Sequence, residues 1–245
     1  MRNDAASWSP RPWAAESAGL ALGGLIAFST VDFPGQLAAV LFAQGCPLRC
    51  RYCHNPHLRD PNAPPSHAWA DVIAWLRRRQ GLLDAVVVSG GEPTIQASLP
   101  DALAELRKLG FIIGMHSAGT HARRLGEALA LLDWIGLDIK APFDRYEAIT
   151  GNAASGAQAR RALDSVLASG VAYEIRTTVH PALLSDDDLL AIARELQSRG
   201  VRRWVLQQFR PTGCQDAELL AQPRPDRLDS VRPALAALVP DLVIR

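Results

Sequence analysis

Several things are scarce in this 245-residue chain, and each scarcity removes a class of function. No apolar run approaches the ~18 residues that a membrane-spanning helix needs. The opening Arg2-Asn3-Asp4 leads into small residues, Trp8, Pro10 and Pro12, without a long apolar core, so a secretory signal is not expected. Charge of one sign never accumulates: 26 Lys and Arg stand against 25 Asp and Glu, for a net charge of +1. The densest basic run, Arg77-Arg78-Arg79, lies in a helical stretch and reads as a solvated face, so nucleic acid is not an expected partner. Lysine is almost missing; Lys108 and Lys140 are the only two. Cysteine is equally sparse, with four in all and three of them within eight positions. That is a ligand pattern and not a disulfide framework, and it points to a reducing cytoplasm.

What is present is an α/β rhythm. Apolar residues make up 48% of the chain, enough for a core without disulfides or a structural metal. Strands are predicted over 37–44, 84–89, 111–117, 134–140, 173–180 and 203–209, and helices over 69–79, 100–109, 121–132, 157–169 and 186–199. Gly110, Gly170 and Gly200 follow three of the helices as C-terminal caps, and Ser185 stands as an N-cap before three acidic residues. Repeated βα units imply parallel strands with right-handed crossovers and helices outside. About six units predict a partial (βα)6 barrel, with residues 1–20 as a flexible lead-in and 21–245 as one domain.

The chemistry-bearing residues gather at the strand ends. Ser89-Gly90-Gly91-Glu92, His116-Ser117, Asp138 with Lys140, and Arg176 with Thr178 and His180 all stand where parallel barrels keep their active sites. Asp138 and Lys140 are two apart and share a strand face. After the first predicted strand comes Gln44-Gly45-Cys46-Pro47-Leu48-Arg49-Cys50-Arg51-Tyr52-Cys53-His54-Asn55-Pro56, with the spacing C-x3-C-x2-C. Three thiolates in one loop can hold three corners of a cubane cluster and leave one iron open, whereas electron-transfer clusters usually have four cysteines. A zinc site with His54 or His57 as the fourth ligand is the competing reading, although only one C-x2-C pair exists. Cys214, far along the chain, reads as an ordinary loop thiol.

With Tyr52 as the aromatic of C-x3-C-x-aromatic-C, this loop resembles the radical S-adenosylmethionine superfamily. Ser29-Thr30-Val31-Asp32-Phe33-Pro34-Gly35, Gly90-Gly91-Glu92-Pro93, Leu137-Asp138-Ile139-Lys140 and Gln207-Gln208-Phe209-Arg210 extend the likeness over roughly 20–215. They resemble the glycyl-radical-enzyme activases, and among these the activating proteins of anaerobic ribonucleoside-triphosphate reductase. The resemblance implies a [4Fe–4S] cluster on Cys46, Cys50 and Cys53, with S-adenosyl-L-methionine as the second cofactor. It implies that Gly90, Gly91 and Glu92 meet the methionine ammonium, Asp138 the ribose and Lys140 the carboxylate, with Tyr52, Ser117 and His180 beside the cofactor. It also implies a glycyl radical enzyme as partner and an electron donor such as flavodoxin or ferredoxin. The alternatives are an activase of another glycyl radical enzyme, such as pyruvate formate-lyase, and a radical enzyme acting on a small molecule of the deazapurine-precursor type. An electron-transfer protein without turnover is a further rival. In one place the sequence departs from the activases. Their Asp-Thr-Asn-Gly turn, which can help hold a monovalent cation, is here His116-Ser117-Ala118-Gly119, so the cation site is not carried over.

Overall fold

A computed structural model describes residues 19–222 and 228–245. The strands are β1 (Leu22–Ser29), β2 (Ala38–Ala43), β3 (Ala85–Gly90), β4 (Ile112–Ser117), β5 (Trp134–Asp138), β6 (Ala172–Val179), β7 (Arg203–Gln208) and β8 (Asp241–Ile244). They form one sheet in chain order; β1 runs antiparallel to β2, and every pairing from β2 to β8 is parallel. The helices are α1 (Trp69–Arg77), α2 (Leu99–Lys108), α3 (Ala122–Leu129), α4 (Tyr146–Thr150), α5 (Ser155–Ser169), α6 (Asp186–Ser198), α7 (Ala217–Ala221) and α8 (Leu228–Leu238).

The six predicted strands are β2 to β7, and two edge strands extend the sheet beyond them. β1 and β8 are not paired with each other, so the barrel stays open between them. The residue pattern explains the layering. In β3, Val86 and Val88 enter the large core beneath the helices, while Ala85 and Val87 join Phe33, Val40 and Trp134 on the inner face. Strands covered on both faces are expected to be apolar throughout, and this one is until its C-terminal end. Ser185 caps α6 as expected, in a reciprocal capping box with Asp188, and Gly110, Gly170 and Gly200 all adopt positive φ.

The expected lead-in falls outside the described residues except for Gly19 and Leu20, and here the boundary needs correction. Leu20 is 2% exposed and belongs to the core, so the packed fold already includes it. No helix among the described residues is long and apolar enough to cross a membrane.

Candidate active site

A cavity of about 490 Å³ opens at the C-terminal ends of the parallel strands. Cys46, Cys50 and Cys53 line it from the loop after β2, Gly90 and Gly91 from the end of β3, and Ser117, Asp138, Lys140 and Arg176 from the next three strands. Gln207, Gln208 and Arg210 form the far wall.

The cysteine loop is built into the fold from several sides. Arg49 N donates to Thr150 O at 2.7 Å and Arg51 N to Ile149 O at 3.2 Å, which ties the loop to α4. Gly45 N donates to Leu58 O at 2.7 Å, Cys46 N to Arg59 O at 3.1 Å, and the Arg59 guanidinium to Cys50 O at 2.6 Å. All four cysteines are free thiols. Burial pushes the Cys46 thiol up to about 12 and the Cys50 thiol up as well, outweighing the opposing charge of Lys140 at both.

Gly90 and Gly91 are required by the meeting of two chain segments. A Cβ on Gly91 would sit 2.2 Å from Gly45 O, and one on Gly90, at φ +120°, would sit 2.3 Å from Ala43 N. Gly91 N donates to Ala43 O and Glu92 N to Gly45 O, so the β3 turn is hydrogen-bonded directly to the start of the cysteine loop. Glu92 itself is turned away from the cavity, a correction to its expected place at the ammonium. It is 0% exposed and its carboxylate accepts from Thr94 N (3.1 Å), Thr94 Oγ1 (2.6 Å), Ser117 Oγ (2.7 Å) and Ala118 N (2.7 Å). Four donors fill a carboxylate's principal acceptor sites. Ser117 thus lines the cavity while its hydroxyl is used to join the β3 and β4 turns. Glu92→Ala strands these donors in the interior and is expected to lower stability by about 3 kcal/mol, read by denaturant unfolding of the apoprotein. An unchanged midpoint would contradict that role.

Asp138 and Lys140 point into the cavity, as their spacing requires, while Leu137 and Ile139 pack into the helix-side core. Lys140 Nζ lies 3.0 Å from Asp138 Oδ2 and 5.6 Å from the centre of the Tyr52 ring. Arg176 reaches across from β6 and donates to Asp138 Oδ1 through Nε (3.2 Å) and Nη2 (3.1 Å). Gly136 makes room for it, since a Cβ there would lie 2.7 Å from the guanidinium carbon. Burial alone would raise the Asp138 carboxyl; the two cations outweigh it and hold it at about 2. Burial likewise opposes charge on Lys140, and Asp138 more than offsets it, leaving the ammonium well above its ordinary range. His180 is a second correction. β6 ends at Val179, the strand alternation lapses at the turn, and His180 is 1% exposed outside the cavity. Its Nδ1 accepts from Ala182 N at 3.1 Å and its ring meets the Phe209 ring edge-on at 5.0 Å.

The sequence did not signal the role of His116. Its Nε2 lies 2.8 Å from Asp32 O, and a carbonyl can only accept, so Nε2 carries the proton. The contact fixes residues 29–35 at the cavity rim, where Val31 and Asp32 line the opening. Burial, followed by the charge of Arg176, pushes His116 down to about 3. A histidine held below its unfolded value of about 6.5 leaves stability flat above that pH and removes it progressively as pH falls toward about 3. The expected loss at pH 5 is about 2 kcal/mol. Comparing urea midpoints of the apoprotein at pH 7 and pH 5 with those of His116→Asn checks this. The variant should be the less pH-sensitive of the two, and an identical slope would contradict the assignment.

Comparison with known proteins decides the family. The Radical SAM superfamily model matches residues 40–196, more than half of the chain. The chain belongs to the radical S-adenosylmethionine superfamily. Within it, this enzyme is 31% identical over 205 residues to the pyruvate formate-lyase-activating enzyme of Clostridium pasteurianum, covering 78% of this chain and 82% of that one. It is 28% identical over 239 residues to a Methanocaldococcus jannaschii protein provisionally named a glycyl-radical enzyme activating enzyme, covering 91% and 94%. These relatives place it among the glycyl-radical-enzyme activases. Among solved structures, QueE from Escherichia coli aligns with a TM-score of 0.54 at 18% identity, over 91% of this chain and 92% of that one. Streptococcus suis SuiB bound to S-adenosylmethionine aligns at 0.60 and 14% identity, but this chain spans 48% of its length. Both show a shared fold.

The cofactors of this radical S-adenosylmethionine enzyme are a [4Fe–4S] cluster and S-adenosylmethionine. The donor set fits them. Three free thiols share one cavity wall, and a lysine, a carboxylate and close-packed glycine backbone share the rest. Among the described residues, no three His, Cys, Asp or Glu side chains are grouped to hold a single metal ion.

Proposed function

We propose that this activase generates a glycyl radical on an anaerobic ribonucleoside-triphosphate reductase, working in the cytoplasm with flavodoxin or ferredoxin as electron donor. The carrying observation is that the three-cysteine loop and the Asp138–Lys140–Arg176 group share one cavity whose rim, at Val31, is 76% exposed. When bound, the reduced cluster and S-adenosylmethionine supply hydrogen-atom abstraction, leaving methionine and 5′-deoxyadenosine. The chain's own work is to bind, orient and exclude water. Cys46, Cys50 and Cys53 hold the cluster. Lys140 pairs with the methionine carboxylate, steadied by Asp138 and the Tyr52 ring, and Asp138 also faces the ribose. The backbone at Gly90 and Gly91 is what can meet the ammonium, because the Glu92 side chain is engaged elsewhere.

A glycine-bearing loop from a protein can fill the open mouth and complete its exclusion of water. The test is electron paramagnetic resonance of reduced activase, S-adenosylmethionine and the reductase, repeated with the reductase's radical glycine changed to alanine. A doublet that vanishes in the variant supports the assignment. Cofactor cleavage indifferent to the reductase but quickened by pyruvate formate-lyase would change the partner, and cleavage quickened by a small metabolite would change the substrate class.

A further inference from the structure

Besides α4, the cysteine loop touches a second element, the segment that follows β7. Arg51, which stands between Cys50 and Cys53, reaches 165 residues along the chain to Asp216. It engages both carboxylate oxygens there, Nε to Oδ2 at 2.7 Å and Nη2 to Oδ1 at 3.2 Å. The same Nη2 donates to Glu218 at 2.8 Å. Asp216 is itself fixed, because its Oδ1 accepts from Leu219 N at 3.1 Å and caps α7. Two further contacts close the seam. Cys214 Sγ lies 3.5 Å from Arg51 O, and Gly213 packs so tightly that a Cβ would stand 1.9 Å from His54 O.

We infer that Arg51, Asp216 and Glu218 form a latch that retains the iron–sulfur cluster by holding the cysteine loop closed from its outer side. α4 anchors the loop's backbone on one side through Thr150 and Ile149. Without the latch the other side would keep the packing of Gly213 and Cys214 and the contact of His54 with Phe209, none of which is an ion pair. An arginine engaging two carboxylates has strong, directional hydrogen bonds, yet the pair is partly solvated, with side chains 33% and 19% exposed. Such a group adds little to the stability of the whole fold and much to the closure of one loop. The three residues are positioning residues, with the thiols as the groups they act through.

The inference rests on Cys46, Cys50 and Cys53 as the cluster ligands, and the two can fail separately. Anaerobically reconstituted parent protein is challenged with an iron chelator while its iron–sulfur absorbance is followed. Arg51→Met should lose iron roughly five- to tenfold faster than the parent, with the melting temperature of the apoprotein little changed. Asp216→Asn combined with Glu218→Gln should do the same, and carries the test if Arg51→Met folds poorly. Arg51→Lys, which keeps a cation beside Asp216 and Glu218, should retain iron better than Arg51→Met. Iron loss at the parental rate in both disrupted proteins overturns the latch, as does a fall in apoprotein melting temperature without faster iron loss. A parent that binds no iron–sulfur cluster overturns the ligand assignment instead.

Discussion

Replacing Cys46, Cys50 or Cys53 with alanine is expected to abolish the intact cluster, while Cys214→Ala keeps it. The expected content of the parent is about four irons per chain with matching sulfide. Cys46, Cys50 and Cys53 line the cavity, whereas Cys214 is turned to the backbone of Arg51 and is 9% exposed. With the cluster held as proposed, each change would remove one of its three protein bonds, so the expected effect is all-or-none and not graded. Metal and sulfide analysis of anaerobically prepared variants reads it. Stoichiometric zinc without sulfide in the parent would contradict the assignment outright, as would a full cluster in any of the three variants.

The second large effect separates Lys140 from Asp138. Spacing alone makes the two look interchangeable, and the sequence suggests similar losses of cofactor affinity. The ion-pair geometry predicts different outcomes. Lys140→Ala leaves Asp138 bonded to Arg176 through two nitrogens, so the protein stays folded and keeps its cluster. It is expected to lose the proposed charge-assisted contact to the cofactor carboxylate, on the order of 1.5–3 kcal/mol, or roughly ten- to a hundredfold in affinity. Asp138→Ala leaves two cations together, each with only 9% of its side chain exposed. Breaking such a pair costs about 3 kcal/mol in stability on top of the lost affinity. Equilibrium binding of S-adenosylmethionine and urea unfolding, measured on both variants, separate the two effects. Equal stability of the two would contradict the shared-carboxylate geometry, and parental affinity in Lys140→Ala would remove Lys140 from the carboxylate.

Much of this arrangement is legible in the sequence because it follows from local rules. The six central strands announce themselves as apolar runs whose polar residues wait until the C-terminal ends, and the same rule gathers the cavity wall. β1 escaped because its Gly23-Gly24 pair interrupts the strand and leaves an apolar run of only four residues, Leu25 to Phe28, without alternation. β8 has only four residues, too few for either pattern to show. Glu92 and His180 lie elsewhere than the sequence suggests, the first because of distant partners and the second because of where its strand ends. Glu92 looks like a cofactor ligand until Ser117 and Ala118, some 25 positions on, are seen to occupy it. His180 obeys the two-residue alternation on paper, but the strand has already stopped at Val179. Nothing in the local sequence marks the role of Arg51, because its partner lies 165 residues away.

The most direct measurement of the central claim is reductive cleavage of S-adenosylmethionine by the reconstituted protein, with products resolved by chromatography. Reduced protein should release methionine and 5′-deoxyadenosine in equal amounts, and Cys50→Ala should release neither. Tight S-adenosylmethionine binding to a fully reduced, cluster-loaded protein that yields no 5′-deoxyadenosine, with or without a glycyl radical enzyme, would contradict it.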